Sequence, residues 1–145
     1  MFLDASAIVA VLARENDANY FATKIKNTEE AIYYSSLTVF EAVVSIARIT
    51  SIRRNGNNSP TPPELIAEVQ KDVEAFLDDI GAQDIAVSGL LYNKALEAAR
   101  TFGRFVGHPA RLNFGDCFAY ACAKEHGLPL LFKGDDFSRT DIQPA

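Results

Sequence analysis

Two cysteines and two histidines are all that this 145-residue chain holds of the side chains that most readily bind soft metals or act as nucleophiles and bases. Cys117 and Cys122 lie five apart in an expected helix, about 140° around it at roughly 100° per residue. That geometry suits neither a disulfide nor a C-x-x-C metal pair, and both read as small buried hydrophobes. His126 sits beside Gly127 and reads as a helix-end residue, and His108 precedes Pro109 in a loop. There is no G-x-x-x-x-G-K-[ST] phosphate loop and no G-x-S-x-G nucleophile elbow. No apolar run approaches the roughly 20 residues needed to span a bilayer. The N-terminus has no basic flank and no small-residue cleavage pattern, so no signal peptide is expected and a cytoplasmic location follows. A surplus of positive charge is also missing. The net charge of −5 argues against broad electrostatic attraction to nucleic acid, which would need a local basic patch and a metal. "ARITSIRRNGNN", with Arg48, Arg53 and Arg54, and "EAARTFGRFVGHPAR", with Arg100, Arg104 and Arg111, are the two candidate patches. Cations favoured near helix C-termini account for them equally well.

The composition, 48% hydrophobic and 23% charged, is that of an ordinary globular chain, and the length fits a single domain over 1–145. Residues 1–4 read as a short buried strand, with Ser6 as an N-cap and a helix through about Arg14. Asp17 is placed to cap a second helix, in which Ala18, Phe21, Ala22 and Ile25 keep helical spacing. "AIYYSS" reads as a strand, and "SLTVFEAVVSIARITSI" as an amphipathic helix burying Phe40, Val43, Val44 and Ala47. After the loop "NGNNSPTPP", Pro63 opens a helix that buries Leu65, Val69, Val73, Phe76 and Ile80 and closes at Gly81. "DIAVS" is expected as a third strand, and Ser88 as the cap of a helix carrying Leu91, Ala95, Ala98 and Phe102. "GHPARLNFG" leads as a loop into the helix "DCFAYACAKEHG", "LPLLF" is a final strand, and "KGDDFSRTDIQPA" is irregular. Short strands alternating with helices indicate an α/β fold with a mainly parallel central sheet.

In such sheets ligands bind beyond the carboxyl ends of the strands. Asp4 ends the first strand, and Asp135 and Asp136 follow the last one. Glu41 is expected in the first turn of the helix after the second strand, and Asp116 in the first turn of the helix before the last. The acids therefore converge on one sheet edge. Each has a plainer reading: Asp4 as a helix cap, Glu41 as the partner of Thr38 in a capping box, Asp116 as a complement to a helix N-terminus, and Asp135 and Asp136 as turn residues. Together they describe carboxylates that a proton or a hard divalent cation must neutralise. The chemistry this suggests is metal-assisted phosphodiester hydrolysis.

At these residues the sequence resembles the PIN-domain ribonucleases, specifically the VapC-type toxins of bacterial toxin–antitoxin pairs. "FLDASAIVAVL" resembles their opening strand and first acid, and "SSLTVFEAVVSIAR" their glutamate helix. "GHPARLNFGDCFAYACAKEHGLPLLFKGDDF" is similar to their third-acid helix and final strand. The resemblance implies a three-layer sandwich with parallel strands between helices, and Mg²⁺- or Mn²⁺-dependent endoribonuclease activity on RNA. It also implies a homodimer silenced by a cognate antitoxin whose C-terminal segment covers the site. Carried over position by position, Asp4, Glu41 and Asp116 match the three central acids. Asp135 is taken as the fourth and Asp136 is held in reserve. Ser6 matches a hydroxyl residue that supports the first acid, and Lys133 stands where the family often has threonine. Asp4 and Asp116 would then hold the principal metal. Glu41 would ligate it or orient the attacking water, and Asp135 would complete the pocket or a second metal site. Arg48, Arg53 or Arg104 would position phosphates.

Two other readings remain. A phosphatase resembling the haloacid dehalogenase superfamily places a second aspartate two positions after the first, where this chain has Ser6. A non-catalytic PIN module binding nucleic acid or a protein partner is the alternative within the family, and such a module would be expected to have lost acids.

Overall fold

Four strands of two residues each form the sheet: β1 (Phe2–Leu3), β2 (Tyr33–Tyr34), β3 (Gln83–Asp84) and β4 (Leu130–Leu131). The computed structural model describes residues Met1–Ala145. All pairings are parallel and the order is β3-β2-β1-β4, with Phe2 opposite both Tyr33 and Leu130. Alternation along so short a strand still sorts side chains between two layers. Phe2 and Leu130 enter one apolar cluster, and Leu3 and Leu131 enter the other. Both faces are covered, which explains why β1 and β4 read as unbroken apolar runs.

On the Leu3 face lie α1 (Ala5–Leu12), α2 (Ala18–Asn27), α3 (Ser36–Asn55) and α4 (Pro63–Asp79). The Phe2 face is covered by α5 (Leu91–Phe102) and α6 (Phe114–His126). The result is the three-layer α/β sandwich expected from the sequence. Alanines let α1 and α3 sit close to their neighbours: Ala7, Ala10, Ala42 and Ala47 are fully buried. No helix is long and apolar enough to cross a membrane. Cys117 and Cys122 are free and buried, as expected, and burial pushes both thiols up to about 11, which keeps them protonated and inert.

Several local expectations are corrected. Helix α1 is capped by Asp4 rather than Ser6, and it ends at Leu12, beyond which Arg14 takes a left-handed φ of 54°. "DIAVS" is not the strand. Pairing with the two-residue β2 ends at Ile85, and Ile85 and Val87 pack into the layer beneath α5 instead. Ser88 does not cap α5, which starts at Leu91 after Leu90 with no side-chain cap. Asp17 stands at the start of α2 as anticipated, but makes no capping bond. On α3 the buried strip runs through Thr38, Ala42, Val43, Ile46 and Ala47, leaving Phe40 and Val44 exposed. Phe76 and Ile80 are only partly buried. The final segment is less irregular than its composition suggests. Phe137–Arg139 forms a 3₁₀ turn, and Leu130 exchanges backbone hydrogen bonds with Gln143 and Ala145, so the tail lies alongside β4.

Candidate active site

The chain winds one way from β1 through β2 to β3, and then places β4 on the opposite side of β1. Crevices in open parallel sheets form at such a reversal, beyond the carboxyl ends of the strands. Asp4 directly follows β1, and residues 133–136 come just after β4, past Phe132. Helix α3, leaving β2, starts at this edge at Ser36, which puts Glu41 in its second turn rather than its first. Helix α6 also starts here, with Asp116 in its first turn. A cleft of about 420 Å³ lies between them, lined by Asp4, Ser6, Glu41, Asp116, Lys133 and Asp136 among others.

Helix ends hold two of these acids in place. The Asp4 Oδ2 accepts the Ser6 N–H at 2.9 Å and the Ser6 hydroxyl at 2.5 Å, forming the N-cap of α1. The Ser6 Oγ in turn accepts the Lys133 N–H at 2.9 Å, linking the start of α1 to the exit of β4. In α6, Asn113 and Asp116 form a reciprocal capping box. The Asp116 Oδ2 accepts the Asn113 N–H at 2.7 Å, and the Asn113 Oδ1 accepts the Asp116 N–H at 3.1 Å. Glu41 is held by neither kind of cap. Helix α3 begins after Ser35, whose hydroxyl accepts the Thr38 N–H, so the Thr38–Glu41 capping box does not form. The Glu41 carboxylate instead lies against Gly115, in the space that a Cβ at that position would occupy.

No lysine or arginine lies within ion-pairing distance of Asp4, Glu41, Asp116 or Asp136. Lys133 borders the cleft, but its Nζ is held by Glu15 at 2.7 Å and Asp17 at 2.8 Å. Asp4 and Asp116 are only 5% and 8% exposed, so their charges lose hydration without gaining a cation. Burial therefore pushes the Asp4 carboxyl up, against the opposing effect of its Ser6 hydrogen bonds, and the charge of Asp136 adds to the rise. Burial and the charge of Asp4 raise Glu41. For Asp116, burial dominates over the Asn113 hydrogen bond, and repulsion from Asp4, Glu41 and Asp136 brings it to about 7.

These donors suit a hard divalent cation by type, being carboxylate oxygens that converge with no cation of the protein's own among them. They do not close into a finished shell, since no three acidic, histidine or cysteine side chains are grouped tightly enough for that. An open arrangement of this sort leaves coordination positions for water and substrate phosphate, as Mg²⁺ requires.

The structure thus brings Asp4, Glu41 and Asp116 together. Of the two aspartates after the left-handed turn at Gly134 (φ 96°), Asp136 lines the cleft and Asp135 does not. The Asp135 carbonyl accepts the Ser138 hydroxyl at the start of the 3₁₀ turn. Two of the expected phosphate contacts are otherwise engaged. Arg48 donates to Asn57 and Ser59, and Arg53 to the Ala13 carbonyl. His108 serves its own loop, its Nδ1 accepting the Ala110 N–H. Sequence reasoning missed Asn113 and Gly115. The N-x-x-D spacing of Asn113 and Asp116 was a legible signal for the first. Nothing in the sequence announces the second, because its role depends on how closely α6 approaches α3.

The raised carboxyls make stability depend on pH in a defined sense. Above the ordinary value of 3.8 and up to about 7, folded Asp116 keeps a proton that the unfolded chain has released, so metal-free stability falls as pH rises through that window. Asp17, Glu125 and Asp141 are lowered by hydrogen bonds from Lys133, Lys94 and Lys124, and their effect is confined to more acid pH. The metal-free melting temperature should therefore drop between about pH 5 and pH 8, and Asp116→Asn should flatten the slope. Added Mg²⁺ should raise the melting temperature more at the upper end than at the lower. An undiminished slope in Asp116→Asn, measured by calorimetry, would contradict this account.

Comparison with known proteins agrees with this architecture. A family model described as the PIN domain matches residues 1–143. A VapC ribonuclease of Rhizobium meliloti (strain 1021) is 38% identical over 141 residues, covering 97% of this chain and 98% of that protein. Ribonuclease VapC42 of Mycobacterium tuberculosis (strain ATCC 25618 / H37Rv) is 37% identical over 145 residues, or 100% of this chain and 98% of its own. Among solved structures, Mycobacterium tuberculosis VapC20, described as a sarcin-ricin loop cleaving toxin, superposes with a TM-score of 0.68 at 16% identity. It covers 99% of this chain and 97% of that one, and it supports the fold alone. With a family model spanning nearly its full length and relatives aligned end to end, the chain belongs to the PIN-domain family, in its VapC-type branch.

Proposed function

We propose that this protein is a Mg²⁺- or Mn²⁺-dependent endoribonuclease and the toxin half of a toxin–antitoxin pair. The observation that carries the reading is the convergence of Asp4, Glu41, Asp116 and Asp136 on one cleft at the winding reversal, with no basic side chain to neutralise them. The names of the relatives point the same way. When bound, a divalent ion supplies an activated water at neutral pH and offsets the charge that develops on the phosphodiester. Asp4 and Asp116 would hold that ion, each fixed by the cap it forms. Glu41, free of any capping duty, would ligate or take the proton of the attacking water. Asp136 would complete the pocket in the place the sequence assigned to Asp135. The Lys133 amide and the Ser6 hydroxyl tie the exit of β4 to Asp4 and hold the first acid beside the segment that carries Asp136.

The same reading includes a homodimer and an antitoxin that covers the cleft. A groove of about 520 Å³ between α5 and α6 supports the dimer. Tyr92, Leu96, Phe105 and Val106 line it, and each is more than half exposed in the isolated chain. A second copy would cover these side chains. Light scattering should give a mass near twice 15.9 kDa, and Leu96→Glu should halve it. A wild-type monomer at micromolar concentration would remove the dimer from this proposal.

Cleavage of mixed RNA should require Mg²⁺ or Mn²⁺ and stop on chelation. Asparagine caps a helix as well as aspartate, so Asp4→Asn should melt close to wild type while cleavage falls by orders of magnitude. Asp4→Ala should lose about 1 kcal/mol of stability as well, because the cap goes with the charge. RNA cleavage that survives both chelation and Asp4→Asn would sink the assignment.

Gly115→Ala tests the positioning of Glu41. The new methyl group overlaps only the end of a flexible side chain, so the fold should tolerate it while the carboxylate is displaced from the cleft. Cleavage should fall at least tenfold with little change in melting temperature. In a Glu41→Ala background the same substitution should cost nothing further. Additive losses in the double variant would show that Gly115 acts by another route.

A further inference from the structure

Resting on the ribonuclease reading above, we propose that the pocket beside the acid cleft is a subsite for one unpaired nucleobase and its phosphate, with Phe40 as the stacking platform and Arg104 as the phosphate contact. The pocket measures about 350 Å³ and shares Glu41, Ser45 and Asn113 with the acid cleft, so anything seated in it lies next to the scissile position. Phe40 and Phe114 both line it, 69% and 61% exposed, but Phe114 also lines the α5–α6 groove assigned above to the dimer, whereas Phe40 does not. An aromatic ring left in water beside a phosphodiesterase cleft offers what a splayed base needs, since every base has a face to stack.

Charge selects RNA over an apolar protein segment at this position. One cation lines the acid cleft and another the adjoining pocket. Lys133 is neutralised by Glu15 and Asp17, whereas Arg104 takes part in no ion pair and lies only over the ring of its neighbour Phe105, at 5.6 Å. Arg48 and Arg53, the other nearby candidates, are bound to backbone carbonyls. In a chain of net charge −5, an unpaired guanidinium lining a pocket that shares Glu41 with the acid cleft is the group available to draw a phosphate toward it. The stacking ring comes from a position on α3 that the sequence pattern assigned to the core. Phe40 and Val44, one turn apart, are exposed, whereas Val43 and Ala47 are buried.

The chain has no tryptophan, so Phe40→Trp introduces a single fluorescent reporter that can still stack. In an Asp4→Asn background, a short single-stranded RNA oligonucleotide of mixed sequence should quench this tryptophan, and the same sequence as a duplex should not. Phe40→Ala should weaken binding of the single strand about tenfold. Arg104→Ala should weaken it too, and should reduce the slope of log affinity against log salt by about 0.7, the loss of one phosphate contact. Arg104→Lys should restore the slope. Unchanged RNA affinity in Phe40→Ala would overturn the subsite, and so would a drop in molar mass of that variant, which would place Phe40 in a contact between copies. If wild type cleaves RNA and Phe40→Ala cleaves it with the same concentration dependence, only the subsite fails. If wild type neither binds nor cleaves RNA, the ribonuclease reading fails with it.

Discussion

Like charges held close together in a poorly hydrated cleft push the structure apart, and this fold has to hold several of them at one edge of a four-stranded sheet. It does so by giving the acids second duties at helix ends. Asp4 cannot leave the cleft without uncapping α1, and Asp116 cannot leave without breaking the reciprocal cap with Asn113. The repulsion is therefore opposed by local backbone bonding, and it appears as raised affinity for protons rather than as disorder. A divalent cation would take over the neutralising role of those protons.

Glu41 follows a different logic. It stands in the second turn of α3 with no capping partner, and its place is set by packing between helices: Gly115 has no side chain, and the carboxylate occupies the vacancy. Two acids fixed by hydrogen bonds and one fixed by shape give the cleft a rigid part and an adaptable part. The adaptable member is the one whose carboxylate can move without disturbing a helix terminus.

Much of this was readable from the chain itself. The alternation of short apolar strands with helices set the layers, and the positions of Asp4, Glu41 and Asp116 relative to those strands placed them on one edge. What resisted reading has physical causes. The spacing of Thr38 and Glu41 fits a capping box as well as an acid free for the cleft, and only the actual first residue of α3 separates the two. Asp135 and Asp136 are adjacent, so the choice between them rested on a turn at Gly134 that sequence does not orient. Phe40 and Val44 fit a helical apolar stripe, yet α3 is covered along a neighbouring strip. Amphipathicity reports that a face is apolar and leaves open what covers it. At β3 the propensity signal fell on Ile85 and Val87, which pack, rather than on Gln83 and Asp84, which pair.

The bond from the Lys133 amide to the Ser6 hydroxyl, and from that hydroxyl to Asp4, has a direction. A serine carries one proton. An ionised carboxylate can only accept, so that proton is given to Asp4 while the oxygen accepts the amide, and the hydroxyl rotor is locked toward the carboxylate. The backbone leaving β4 thus polarises Asp4 through one intermediary, favouring the anion at the position where burial most opposes it. Alanine at position 6 would strand the amide, and a cysteine thiol would pass on a far weaker polarisation. Among small side chains, a hydroxyl alone can relay the field of the sheet into the cleft.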